Sequence, residues 1–244
     1  MCRMIAAAGE FEPRALREAL IRMAANDNPA HTHEKRRLGA EHRHEDGWGA
    51  AWTERGEIRV RRSPLSCLAD PSVHDLDAIE TDLMLLHARR ASKKGSVRLA
   101  NTHPFRATHA GRDWAFCHNG VVDDLGPLRA APGLAPEGGT DSEVLFHHIL
   151  SQLDPRDLES SVLRSLEPVR DYTSMHSLLM DAGSILAVAM RHPTKGVRRY
   201  HALWEGSGAG LRVVSSEPVD GIAGLARADW REIPAPGTVL LRRF

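Results

Sequence analysis

Apolar positions along this chain come in short runs, and the spacing within each run predicts the element it forms. Met4 to Ala8 is unbroken apolar sequence, so residues 2–8 read as a short buried strand. Leu16, Ala19, Leu20 and Met23 recur at helical spacing; with Pro13 just ahead they predict a helix over Ala15–Ala25. Trp48–Trp52 and Ile58–Arg62 read as paired strands around a turn at Glu54-Arg55-Gly56-Glu57. Leu83–His87 is a short apolar strand, and Trp114–Cys117 is another, ending in His118-Asn119-Gly120. Thr140–Leu153 is amphipathic and opens on Thr140 and Glu143, spaced as a capping box; Pro155–Leu166 predicts a further helix. Beyond Ser177 the pattern returns to strands at Leu178–Met180, Ile185–Met190, Arg199–Leu203, Leu211–Val214 and Val239–Arg242. Strands at both ends with helices between them, and no repeat or flexible linker, predict a single α+β layered domain. The polar stretch Asn26–Glu45 is too long for an ordinary connection and is expected to close over a substrate.

Charge narrows the partners. Lys plus Arg is 32 and Asp plus Glu is 32, so the chain is neutral overall and large enough, at 244 residues, for a substantial core. The basic pairs Arg36-Arg37 and Arg89-Arg90 are too short for a nucleic-acid patch, and neither nucleic acid nor membrane is expected as partner. The N-terminus has no signal-peptide pattern, and no apolar run approaches the ~20 residues needed to span a bilayer. Three cysteines, at 2, 67 and 117, form an odd set without metal-type spacing, which points to a reducing, cytoplasmic setting. Among the 14 histidines, His31, His33, His42 and His44 are close together, but no cysteine accompanies them and Lys/Arg residues are interleaved. They read as a polar surface loop, and no metal or other cofactor is expected.

Candidate chemistry begins at Cys2. Once Met1 is removed, this residue carries both a thiol and a free α-amine, whose ordinary pKa of roughly 7.7–8 suits a base near neutral pH. Taken singly, the other motifs are ambiguous. Glu45-Asp46-Gly47-Trp48-Gly49 also fits a glycine-rich turn before a strand. His87-Ala88-Arg89-Arg90-Ala91-Ser92 offers an arginine at a strand end, able to bind a carboxylate at two points, but also fits a solvated basic loop. Asn119-Gly120 fits an oxyanion hole or a tight hairpin turn. Asp141 also suits the first turn of a helix for its dipole alone.

Taken in order, Cys2, Asp46-Gly47-Trp48-Gly49, His87-Ala88-Arg89, Asn101-Thr102-His103-Pro104-Phe105, His118-Asn119-Gly120 and Thr140-Asp141-Ser142-Glu143 resemble the class II glutamine amidotransferases, which are N-terminal-nucleophile hydrolases. Val214-Ser215-Ser216-Glu217-Pro218 resembles a later strand motif of the same family. The resemblance implies a four-layer αββα sandwich over residues 1–244 and a glutaminase half-reaction. It gives Cys2 the role of nucleophile, with its own α-amine moving the proton. It gives the Asn119 side chain and the Gly120 N–H the oxyanion, Arg89 the substrate α-carboxylate with Ser92 and His103 nearby, and Asp141 the α-ammonium. The implied partner is a small molecule, glutamine or a γ-glutamyl compound.

Arg90 and Lys93-Lys94 depart from the larger synthases of the family, where an aromatic residue often follows the clamping arginine. A basic far end would suit a larger or acidic γ-glutamyl substrate; a solvent-facing Arg90 would have no such effect. No synthase, isomerase or phosphoribosyltransferase segment and no phosphate-binding loop is found in these residues. The chain therefore resembles the short, stand-alone members, such as the γ-glutamyl amidohydrolase of ergothioneine synthesis. A hydrolase releasing glutamate is the expected function. The alternatives are a subunit passing ammonia to a separate synthase, and a non-catalytic γ-glutamyl-binding protein.

Overall fold

The computed structural model describes residues 2–29, 42–93, 95–130, 133–195, 201–208, 210–226 and 229–243. In chain order the elements are β1 (Arg3–Gly9), α1 (Pro13–Ala24), β2 (Trp48–Glu54), β3 (Glu57–Ser63), β4 (Leu83–Ala88), β5 (Phe105–His109), β6 (Arg112–Val122), α2 (Asp141–Ser151), α3 (Leu158–Leu166), β7 (Tyr172–Met180), β8 (Ser184–Ala189), β9 (Trp204–Gly208), β10 (Leu211–Ser215), β11 (Trp230–Glu232) and β12 (Gly237–Arg242). Among the described residues the strands form a seven-stranded sheet, ordered β11-β9-β10-β1-β4-β2-β3, and a five-stranded sheet, ordered β12-β8-β7-β6-β5.

Side-chain alternation stacks these sheets into layers. Ile5 and Ala7 of β1 join Met84 and Leu86 of β4 against Leu16, Leu20 and Met23 of α1. The opposite faces of the same strands, through Met4, Ala6, Ala8 and Leu85, meet Ala115 and Cys117 of β6 and Leu178 of β7 between the sheets. Trp114 and Phe116 turn the other way, onto Phe146 and Ile149 of α2 and Val162 of α3. The result is the αββα sandwich that the resemblance implied. β1 is apolar at nearly every position because it is central and buried on both faces.

Most boundaries fall close to the expected ones, and the departures have local causes. Only half of the capping box forms: Thr140 Oγ1 accepts from Glu143 N at 3.2 Å, while the Glu143 carboxylate turns back to the N–H groups of Glu137 and Gly138, both at 2.8 Å. Pro155 precedes α3 rather than opening it, because Asp154 Oδ1 accepts from Arg156 N in a tight turn. The strand expected over Arg199–Leu203 begins at Trp204 instead, paired with β10 through Trp204↔Ser215; residues 196–200 lie outside the described set. β5 and β11, both short, carried no clear sequence signal.

His118-Asn119-Gly120 is not a turn after a strand. It continues β6 and pairs with β7 in the registers Asn119↔His176 and Gly120↔Met175, with an irregularity before Val122. No described helix is long and apolar enough to cross a membrane.

Candidate active site

The alternation that builds the core also brings the candidate residues together. Cys2 continues the Met4–Ala6–Ala8 face of β1 toward the second sheet. Asn119 continues the Ala115–Cys117 face of β6 toward the first. They meet where the two sheets end: Cys2 N donates to Asn119 Oδ1 at 2.7 Å. Asn119 is buried, and its Nδ2 has no hydrogen-bond partner among the described residues. A buried amide donor without a partner is costly, which makes Nδ2 a candidate donor to a bound group.

β4 supplies the next wall. It pairs with β1 through Arg3↔Ala88, so the chain leaving β4 passes directly over Cys2, whose Sγ lies 3.8 Å from the Arg90 carbonyl oxygen. Asp46 pins this segment: its N–H donates to Arg89 O at 3.0 Å, and its Oδ2 accepts from Ala91 N at 2.8 Å. Gly49 is required below it, since a Cβ there would lie 2.3 Å from the His103 carbonyl oxygen. Arg89 is 5% exposed, and its side chain donates to Asp46 O, Ser96 O and Ser96 Oγ, all neutral acceptors. Among the described residues no carboxylate lies within ion-pair distance of it.

The opposite wall is the start of α2. Asp141 Oδ2 accepts from Val122 N at 2.8 Å, and this carboxylate has no cationic partner among the described residues either. Its neighbour Ser142 contacts His118 Nδ1 at 2.9 Å, while His118 Nε2 lies 3.1 Å from the Ser174 carbonyl oxygen. The backbone acceptor fixes the proton on Nε2, so Nδ1 accepts from the serine. Gly120 packs hard on the same carbonyl: an added Cβ would sit 1.7 Å from Ser174 O. Gly120→Ala is therefore expected to displace β6 from β7 and lower the melting temperature by several degrees, checked by a thermal melt; an unchanged melting temperature would contradict this packing.

Cys2, Arg89, Ser92, His103, Gly120 and Asp141 line one cavity of about 270 Å³, with Asn119 behind Cys2. Every candidate residue from the sequence thus converges on one place. Arg90 lines the cavity as well, and its Nη1 lies 2.7 Å from His42 Nδ1. His44 corrects the surface-loop reading: it is fully buried, and its N–H donates to Ala24 O at 2.9 Å. His31, His33 and the rest of residues 30–41, on which the expected closing loop depends, lie outside the described set, as do Arg36, Arg37 and Lys94. No group of three or more His, Cys, Asp or Glu side chains arranged for a metal occurs among the described residues.

Burial decides the protonation states. Desolvation pushes the Cys67 thiol up to about 12 and the Cys117 thiol well above its ordinary value, so neither is a nucleophile at neutral pH. Desolvation also lowers His87 to about 3 and His103 well below its ordinary range; their rings lie 4.3 Å apart and stay neutral. His176, at about 3, is buried neutral for the same reason. A histidine that resists protonation in the folded state loses ground to the unfolded chain as pH falls below the unfolded pKa near 6.5, and continues to do so down to its folded pKa. His87 and His176 should each cost about 1.4 kcal/mol of stability by pH 5.5. Urea titrations at pH 7.5 and 5.5 would measure that loss, and equal stabilities would contradict it.

The sequence signal missed several supports. Ser96, which holds Arg89, lies beyond the recognised motif. Ser174, which meets both His118 and Gly120, sits in β7 with no motif around it.

A family model described as class-II glutamine amidotransferases matches residues 29–188, and the chain belongs to that family. It is 32% identical over 153 residues to an uncharacterised protein of Methanocaldococcus jannaschii, covering 59% of this chain and 42% of that one. It therefore spans under half the length of that curated relative. Among solved structures, glutamine phosphoribosylpyrophosphate amidotransferase of B. subtilis superposes with a TM-score of 0.69 at 18% identity, covering 99% of this chain and 47% of that one. A glutamine aminotransferase class-II domain protein of Silicibacter pomeroyi superposes at 0.62 with 20% identity, covering 98% of this chain and 94% of that one. These superpositions show that the chain shares the fold of those two proteins.

Proposed function

We propose that residues 1–244 act as one amidohydrolase domain that cleaves the γ-amide of glutamine or of a γ-glutamyl compound through a Cys2 thioester. One observation carries the reading: Cys2 N donates to Asn119 Oδ1 at 2.7 Å, and the buried Nδ2 of the same amide has no hydrogen-bond partner among the described residues. With Met1 removed, the Cys2 nitrogen is the α-amine.

In this reading the amine takes the thiol proton as Sγ attacks the side-chain carbonyl carbon. Asn119 Nδ2–H and Gly120 N–H stabilise the oxyanion, in the manner of preorganised donors aimed at developing charge. Collapse breaks the C–N bond, and the amine returns its proton to the departing ammonia or amine. Water then attacks the thioester, the α-amine accepts its proton, and glutamate leaves as the thiol reforms. The unpaired Arg89 guanidinium and Asp141 carboxylate support binding of a zwitterionic amino-acid end, because each charge gains the partner it lacks. Ser92 sits at the exposed rim, and neutral His103 offers an uncharged ring to the same end.

A panel of glutamine and γ-glutamyl amides assayed for glutamate release tests the reading; no release from any of them would overturn it. Full turnover as purified supports a hydrolase, whereas low activity raised by an added synthase supports the ammonia-donating alternative. Arg89→Lys loses the two-point grip and should lower kcat/KM by roughly ten- to a hundredfold, mostly through KM. Steady-state kinetics would show this, and an unchanged KM would remove Arg89 from substrate binding.

A further inference from the structure

Cys2 stands outside the β-ladder. The pairing of β1 with β4 starts at Arg3↔Ala88, and its pairing with β10 starts at Ile5↔Ser215. Once Met1 is gone, nothing on the N-terminal side holds Cys2 either, so its backbone orientation must be fixed by side chains. One of these is Asn119, at the nitrogen. The other is Arg3, whose Nη1 donates to the Cys2 carbonyl oxygen at 3.1 Å.

Arg3 is itself held in an enclosed network. Its Nε lies 2.7 Å from Glu217 Oε1, with the two side chains 1% and 5% exposed. Asn28 Nδ2, also buried, donates to Glu217 Oε2 at 2.9 Å and to the Pro218 carbonyl oxygen at 2.7 Å. Ser216 closes the arrangement: its Oγ accepts from Met4 N at 3.0 Å, and its own N–H donates to Met4 O at 2.9 Å. The Val214–Pro218 segment therefore wraps the first residues of the chain. A buried ion pair is poor value as a stabiliser, because desolvating two charges consumes most of what their attraction returns. A pair kept here, one residue from the thiol, is better explained by geometry than by stability.

We propose that Arg3, braced by Glu217 and Asn28, is a positioning residue that fixes the Cys2 peptide plane and so aims the thiol and amine into the cavity. This rests on the reading of Cys2 as nucleophile. The loss expected on removing the brace is in reaction geometry, not in substrate binding, since no part of the network lines the cavity.

The test compares wild type, Arg3→Lys and the charge-free double variant Arg3→Met/Glu217→Leu in glutamate release, beside thermal melts. Removing both charges together avoids stranding either one, so the double variant is expected to fold. Its kcat should fall by about 30- to 100-fold with KM within about threefold of wild type. Arg3→Lys keeps the charge opposite Glu217 and one donor for the Cys2 carbonyl, and should recover part of the loss. It also carries the test alone should the double variant not fold, through a lowered kcat at constant KM. Wild-type kcat in both variants, or a loss confined to KM, would overturn the proposal while leaving the hydrolase reading intact. A wild-type enzyme that releases no glutamate would overturn both.

Discussion

Cys2→Ala is expected to lower glutamate release by about 10⁴-fold or more, because it removes the atom that forms the thioester in the proposed reaction. No other thiol can substitute. Cys67 and Cys117 are buried and held protonated, and neither lines the cavity. The fold should survive, since Cys2 precedes the first ladder pair and alanine fits the same space. KM-type binding should survive too, because Arg89 and Asp141 are untouched. Glutamate assays beside a thermal melt measure both, and activity within tenfold of wild type would contradict the assignment. The same residue makes processing decisive: a preparation whose intact mass retains Met1 has an amide in place of the base and should be equally inactive.

Asn119→Ala is expected to lower kcat by roughly 10²–10³-fold, the usual cost of one missing oxyanion donor, with KM little changed. Asn119 has a second task, since its Oδ1 accepts from Cys2 N. Asn119→Asp separates the two: it keeps an acceptor for that nitrogen but has no Nδ2 donor. Equal losses in both variants would assign the effect to the oxyanion. Wild-type kcat in Asn119→Asp would show that holding Cys2 is the residue's main work. Both outcomes are read from steady-state kinetics on the same substrate.

Much of this arrangement was legible in the chain because its chemistry is written in ordered short motifs. The unbroken apolar run after Cys2 marks residues 2–8 as a buried strand, and β1 begins at the next residue, Arg3. The same motifs placed Arg89 at a strand end and Asp141 at a helix start. What was not legible depends on distant pairing. Asn119-Gly120 carries every local mark of a turn, yet β7 lies beside it and makes it strand. His44 sits in a polar stretch, and only the return of the chain to Ala24 buries it. Glu217 gave no hint that its partner would be Arg3, more than two hundred residues away, because an ion pair has no period. Arg90 lines the cavity rather than facing only solvent for a similar reason: His42 and the cavity wall meet it only in the folded chain.

In the proposed reaction Cys2, with its amine free, attacks a γ-carboxamide held by its amino-acid end. An electrophilic glutamine analogue, with a diazoketone in place of the side-chain amide, tests this directly when the labelled protein is mapped by peptide mass. One adduct per chain is expected, on Cys2, blocked by glutamine and absent from chains that keep Met1. An adduct on Cys67 or Cys117, or none on a folded chain lacking Met1, would contradict it.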